Sequence, residues 1–251
     1  MSTASMSFSR SSHISGQGRL TPDQLEAYHR DGFLLVEGVF PKTEIDEINC
    51  EIDRLRDGKS TDNVNKDDVM LCLGLKSELT RRVCRDERIL TLIEDIVKPG
   101  IAIYSAKLFE KRPNDERICH WHQDDAYYQK HSHCACRMSA WIPLQDCDES
   151  NGCVWVVPGS HQHGLKSASM IDDGTGHCEF AFAHGTAEVE GAVPVPVKAG
   201  TVLLFHALTA RRSLGNRTTH SRRSFIISYQ DALTNRGNKD QHQVLRPAGK
   251  R

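Results

Sequence analysis

The chain has 251 residues, with 32 Lys and Arg against 33 Asp and Glu and a net charge of -1, so it lacks the cationic excess with which proteins hold nucleic acid or anionic lipid. Hydrophobic residues make up 38%, and no stretch approaches the roughly 18 consecutive apolar residues of a membrane-spanning helix. One domain with a sizeable core is expected. Residues 1–19 are rich in Ser and carry no apolar signal-like run, so they read as a disordered leader. Nine cysteines, an odd number, suit reduced thiols in a soluble, cytoplasmic protein better than a secreted disulfide framework.

Thr21-Pro22-Asp23-Gln24 has the form of a capping box with Pro at the first helical position, which predicts a helix to about Arg30, ended by Asp31-Gly32. Phe33-Leu34-Leu35-Val36 is a short apolar run suited to a buried strand. Ile45, Ile48, Ile52 and Leu55 recur at helical spacing and predict an amphipathic helix ending near Gly58, and residues 59–68 are polar and loop-like. A second helical patch runs from about Ser77 to Lys98 and is stopped by Pro99-Gly100. From Ile101 to Gln230 the pattern becomes short β-prone runs at 101–109, 118–128, 137–146, 152–157, 196–206 and 222–229, the spacing of a sandwich or barrel. The Gly-rich stretch 174–191 reads as a long insertion suited to a lid. The tail from Asn235 is polar and is expected to be loosely ordered, which leaves 20–234 as the single domain and 235–251 as a C-terminal tail.

The densest chemistry lies in Cys119-His120-Trp121-His122-Gln123-Asp124-Asp125-Ala126-Tyr127-Tyr128. On a strand, alternate residues face one way, so His122 and Asp124 can grip one metal ion through imidazole and carboxylate, and His120 shares their parity. That spacing is two-thirds of the 2-His-1-carboxylate face of non-haem Fe(II) oxygenases.

The segments HWHQDDAYY, WIPLQDCDESNGCVWVVPGSH and GTVLLFHALTARRSLGNRTTHSRRSF, in this order, resemble the phytanoyl-CoA dioxygenase family of Fe(II)/2-oxoglutarate oxygenases over about residues 24–230. The resemblance implies a mostly β fold, a double-stranded β-helix (jelly-roll) with N-terminal helices along one sheet. It implies Fe(II), 2-oxoglutarate as cosubstrate and O2, a small-molecule substrate hydroxylated at a C–H bond, and no nucleic-acid or membrane partner. His122 and Asp124 match the first two iron ligands, and Gln123, Lys107, Trp141 and Ser213 match positions bordering 2-oxoglutarate. Arg222 matches the arginine that holds the distal carboxylate, a role for which a planar guanidinium fork is suited. Tyr127 and Tyr128 are candidates for substrate contact or for core packing.

One position departs from the family pattern. The second metal histidine is expected two residues before Ser213 and five before Asn216, and Arg211 stands there. Arginine stays protonated and offers a metal no lone pair. His206 lies at an odd offset from 211 and needs a bulge to face the same side, whereas His220 shares the parity of Arg222; both are possible substitutes. Three readings stand. Arg211 pairs with Asp124 and replaces the metal's charge, or water or a carboxylate such as Asp125 fills the third position, or the arginine is a change in an otherwise active enzyme. A nearby cation lowers metal affinity in all three. A non-catalytic protein that keeps the fold and a 2-oxoglutarate-like pocket is the alternative.

Cys134-Ala135-Cys136, near His131 and His133, invites a zinc reading, but the motif lacks a distant second half. Packing at the start of the 137–146 strand is the favoured role for both thiols.

Overall fold

The computed structural model describes residues 18–57, 68–128, 134–170, 180–182, 189–234 and 243–249. The N-terminal helix α1 (Pro22–Asp31) is capped as the sequence predicts. The Thr21 hydroxyl accepts from the Gln24 amide at 3.3 Å, and the Gln24 side chain accepts from the Thr21 amide at 2.8 Å. Gly32, at φ 79°, ends the helix and feeds strand β1 (Phe33–Val36). Helix α2 (Lys42–Asp57) buries Ile45, Ile48 and Ile52 on one face. The helical patch expected from Ser77 to Lys98 forms two short helices, α3 (Glu78–Cys84) and α4 (Glu87–Ile93). Asp86 divides them because its carboxylate caps the second helix, accepting from the Arg88 amide at 2.9 Å.

The remaining elements are β2 (Val69–Leu71), β3 (Ile101–Lys111), β4 (Cys119–His122), α5 (Asp125–Tyr128), β5 (Met138–Pro143), β6 (Val154–Val156), β7 (Ala168–Met170), β8 (Phe180–Phe182), β9 (Val193–Val195), β10 (Val202–His206), β11 (Arg211–Ser213), β12 (Arg222–Gln230) and β13 (Gln243–Arg246). A seven-stranded antiparallel sheet runs β1-β10-β5-β12-β3-β13, with β2 also on β3, and a four-stranded sheet runs β4-β11-β6-β9. These two sheets make the expected jelly roll. Strand alternation gives the large sheet two apolar faces. Leu108, Val202, Leu204, Phe225 and Ile227 pack with Ile45, Ile48, Ile52, Ile89 and Ile93 of the helices. Trp141, Leu203, Phe205 and Ile226 face inward and pack with Val154 and Val156 of the small sheet.

Three expectations change. The run 118–128 is not one strand: β4 stops at His122 and the chain turns into α5, so Tyr127 and Tyr128 are helical. The C-terminal tail is not wholly loose, because β13 pairs with β3 through Gln243↔Ile103 and Val244↔Ala102. The insertion contributes strand β8, paired with β7; its residues 174–179 and 183–188, like residues 1–17 of the leader, lie outside the described residues. No helix among the described residues is long and apolar enough to cross a membrane.

The turn that leads into β12 depends on Asn216, which is fully buried. Its Nδ2 donates toward the carbonyls of Lys111, Arg112 and His220 at 3.1, 3.0 and 2.7 Å, and its Oδ1 accepts from the Thr218 amide at 3.0 Å. Asn216→Ala is expected to cost about 2–4 kcal/mol, since several buried backbone groups lose their partner at about 1 kcal/mol or more each. Urea unfolding checks this, and an unchanged midpoint at unchanged slope refutes the assignment.

Candidate active site

Between the two sheets lies a cavity of about 60 Å³. The strand register brings its polar residues together: β11 pairs with β4 so that Arg211 sits opposite His122, and the turn after β4 swings Asp124 back to the same side. His122 Nε2 is 3.6 Å from Asp124 Oδ1. His122 Nδ1 is 2.7 Å from the His120 carbonyl. A carbonyl only accepts, so Nδ1 carries the proton and the Nε2 lone pair faces the carboxylate. Burial, then the charge of Arg211, push the imidazole below its ordinary pKa, so His122 is neutral at pH 7.

Arg211 closes this corner. Its Nη2 and Nε both donate to Asp124 Oδ1, at 2.5 and 3.1 Å, and its guanidinium carbon lies 4.8 Å from the centre of the Phe205 ring. Burial alone raises the pKa of the Asp124 carboxyl, but Arg211, with His122 and Lys107, overrides it and holds the acid well below the usual carboxylate range. The other oxygen, Oδ2, accepts from Ser139 at 3.2 Å. From there a buried hydrogen-bond chain runs through Ser228 at 2.9 Å and the Tyr128 hydroxyl at 3.2 Å to Lys107 Nζ at 3.4 Å.

Arg222 enters the same cavity from β12 and is 2% exposed. Its Nη2 donates to the Gly152 carbonyl at 2.8 Å and its Nη1 to Ser224 Oγ at 3.3 Å, while its Nε has no partner. Among the described residues no carboxylate pairs with it. Burial, with Arg211 nearby, lowers its pKa. A buried guanidinium with an open donor is a receptor for an anion.

Comparisons with known proteins agree with this architecture. The family model described as Phytanoyl-CoA dioxygenase (PhyH) matches residues 28–224. The chain belongs to the phytanoyl-CoA dioxygenase family. This is a family of iron- and 2-oxoglutarate-dependent oxygenases. Phytanoyl-CoA dioxygenase domain-containing protein 1 of Mus musculus is 24% identical, over 85% of this chain and 91% of its own length. The ectoine dioxygenase of Bordetella parapertussis is 24% identical, over 86% of this chain and 78% of its own. Among solved structures, the alpha ketoglutarate dependent epimerase SnoN from nogalamycin biosynthesis superposes with a TM-score of 0.73 at 23% identity, covering 91% of this chain and 97% of that one. EctD from S. alaskensis, solved with 2-oxoglutarate and 5-hydroxyectoine, gives 0.72 at 20% identity, covering 96% of this chain and 86% of that one. At these identities the structures establish the shared fold.

Of the residues matched to phytanoyl-CoA dioxygenase positions, His122, Asp124, Lys107, Trp141, Ser213 and Arg222 all line the cavity, and so does Tyr127. Gln123 does not. It follows the last residue of β4, and its buried amide donates to the Gly164 and Leu208 carbonyls at 2.9 and 2.7 Å and accepts from the Lys166 amide at 2.8 Å, which makes it a loop anchor. Tyr128 lies behind the wall, in the hydrogen-bond chain. Neither substitute histidine reaches the cavity. His206 keeps the helix-facing parity of Val202 and Leu204; its Nδ1 accepts from the Leu208 amide at 3.0 Å and its Nε2 contacts the Ala135 carbonyl at 3.3 Å. His220 is exposed, because the chain before Arg222 is a turn in which strand parity has no meaning. Asp125 is no third ligand either, since Arg137 holds it at 2.6 Å. Cys119, in the cavity wall, is disulfide-bonded, contrary to the expectation of reduced thiols throughout. Sequence reasoning missed Ser139, Ser228 and Arg137. The signal for the two serines was polar residues at inward parity in otherwise apolar strands.

The iron of phytanoyl-CoA dioxygenases is tested by this donor set. An imidazole nitrogen and a carboxylate oxygen are present, but the third corner holds a guanidinium that binds the carboxylate oxygen the metal needs. Among the described residues the donor set therefore does not complete a facial triad. Removing the cation leaves a buried carboxylate uncompensated, so Arg211→Met is expected to cost about 3–5 kcal/mol at pH 7, and Asp124→Asn in the same chain should recover much of it. Because the folded pKa of Asp124 is depressed, the pair's contribution is full above the unfolded carboxyl pKa of about 3.9 and is lost as pH falls below it. A double-mutant cycle by urea unfolding from pH 7 to 3 checks both points; a coupling energy near zero at pH 7 refutes the pair.

Proposed function

We propose that this chain is a diverged small-molecule oxygenase of the phytanoyl-CoA dioxygenase family that still binds 2-oxoglutarate, or a diacid like it, and whose iron affinity is reduced by Arg211. The observation that carries the first half is Arg222: a buried guanidinium with an open Nε and no carboxylate partner among the described residues, facing the cavity beside Trp141 at 5.8 Å. A five-carbon diacid would place one carboxylate on this fork, and Lys107 and Ser213 supply further donors in the same wall. The second half rests on the ion pair of Arg211 with Asp124. The chain's own residues on this reading orient an acid and exclude water from it.

The relatives named for ectoine and for nogalamycin biosynthesis act on, or were solved with, small molecules, and a small molecule is the substrate class that fits a cavity enclosed between two sheets. The second reading, a non-catalytic acid-binding protein, is favoured by the same ion pair if no iron enters at all.

Calorimetry with 2-oxoglutarate in the presence of a chelator is expected to show binding in the wild type and a loss of about 2 kcal/mol or more, roughly 30-fold, in Arg222→Ala. Equal affinities overturn the placement of the acid. Anaerobic Fe(II) addition is expected to give no metal-to-ligand charge-transfer band in the wild type, and a band with succinate formation in Arg211→His. A band of full intensity in the wild type overturns the role given to Arg211, and no band in Arg211→His favours the non-catalytic reading.

A further inference from the structure

Away from the cavity, two thiols and a carboxylate converge where the chain enters β5 and leaves β12. The register explains why: β5 and β12 are antiparallel neighbours with Met138 opposite Tyr229, so the residues just before one and just after the other must meet. Cys134 and Cys136 flank the exposed Ala135, and Asp231 follows β12 directly. Cys134 Sγ is 3.5 Å from Cys136 Sγ and 3.1 Å from Asp231 Oδ2, and the three ligand atoms lie within 4.8 Å of one another. The distant second half that the Cys-x-Cys motif lacks in sequence is thus supplied by Asp231, 97 residues on from Cys134.

The geometry points to a zinc site formed by Cys134, Cys136 and Asp231, with solvent as the fourth ligand. With Zn–S near 2.3 Å and Zn–O near 2.0 Å, a tetrahedral ion requires sulfurs about 3.8 Å apart and a sulfur–oxygen edge of about 3.5 Å. The observed 3.5 and 3.1 Å need each edge to open by only a few tenths of an ångström. Both thiols are free, and their separation is far beyond the roughly 2.05 Å of a disulfide. Two sulfur donors select zinc over magnesium or calcium, which prefer oxygen. The carboxylate is already oriented: Oδ1 accepts from the Leu233 and Thr234 amides at 2.9 and 2.7 Å, and Oδ2 accepts from the Thr234 hydroxyl, the kind of outer hydrogen bonding that fixes ligating carboxylates. Both cysteines are partly exposed, which leaves the ion a route from solvent. Coordination replaces two S–H bonds with two S–Zn bonds and releases both protons to buffer, so affinity rises with pH. An ion here would tie the entry of β5 to the exit of β12. It would sit next to Arg137, which holds Asp125 at the start of α5.

The test is Co2+ titration of metal-free protein under argon, in a His122→Ala background that silences the cavity donors. One equivalent is expected to give a sulfur-to-cobalt charge-transfer band with the intense visible bands of tetrahedral Co2+, displaced by one equivalent of Zn2+. Cys134→Ser and Cys136→Ser should each abolish the charge-transfer signal, and Asp231→Asn should weaken binding at least about tenfold. In the unsubstituted protein, Zn2+ should protect Cys134 and Cys136 from alkylation while exposed Cys50 reacts at an unchanged rate. The site is overturned by a cobalt spectrum without sulfur charge transfer, by one that survives both serine variants, or by alkylation of Cys134 and Cys136 that Zn2+ does not slow. Formation of a Cys134–Cys136 disulfide in a protein that binds no Co2+ identifies a redox pair instead and equally overturns it.

Discussion

A carboxylate that is 2% exposed stays ionised only with a cation or several donors beside it, and Asp124 has Arg211 on one oxygen and Ser139 on the other. This arrangement ties the two sheets together. Asp124 follows β4 of the small sheet, Arg211 lies on β11 beside it, and Ser139 and Ser228 belong to the large sheet. Buried polar groups that are fully satisfied fix one packing over its neighbours, and here they fix the distance between the layers at the cavity.

Among the described residues, the cavity wall carries Lys107, Arg211 and Arg222 against the single carboxylate of Asp124. Buried cations in excess are costly unless something discharges or pairs them. A further buried cation beside them is partly discharged. Lys111, which sits across the strand register from Arg222, is pulled down to about 7, chiefly by burial and then by the Arg222 charge. Its Nζ donates to the Arg117 carbonyl at 2.8 Å, a bond a neutral amine can keep. A dianion in the cavity would relieve the remainder, so the electrostatics and the open donor of Arg222 argue for the same kind of ligand.

Most of the fold was legible in the sequence because its signals are local. The capping box at Thr21, the isoleucine spacing of α2 and the β-prone runs of β3 and β12 each have a short-range cause. The site was legible where strand parity or the family resemblance applied, as for His122, Trp141 and Arg222. It failed where the backbone leaves the strand. His220 was assigned its facing by alternation and Gln123 its place by the resemblance, but each lies beyond a strand end, where the alternation has stopped. Arg137, Asp231 and β13 were invisible for another reason: their meaning comes from contacts across pairing, such as Met138 opposite Tyr229 and Gln243 opposite Ile103, that no local pattern announces.

The presence of His122 and Asp124 is weak support for iron. Each has a structural reason to remain that needs no metal: His122 donates to the His120 carbonyl at 2.7 Å, and Asp124 neutralises Arg211 while accepting from Ser139. On the proposed reading, in which Arg211 stands where the family has its second metal histidine, the arginine changes more than one ligand. It supplies a positive charge where the family's metal would supply two, and it brings hydrogen bonds that a bare ion pair lacks, so the carboxylate loses its need for the ion at the same moment the ion loses a donor. The substitution is therefore self-consistent as a packed core, and a return to iron requires the guanidinium to leave Asp124 as well as a third ligand to arrive.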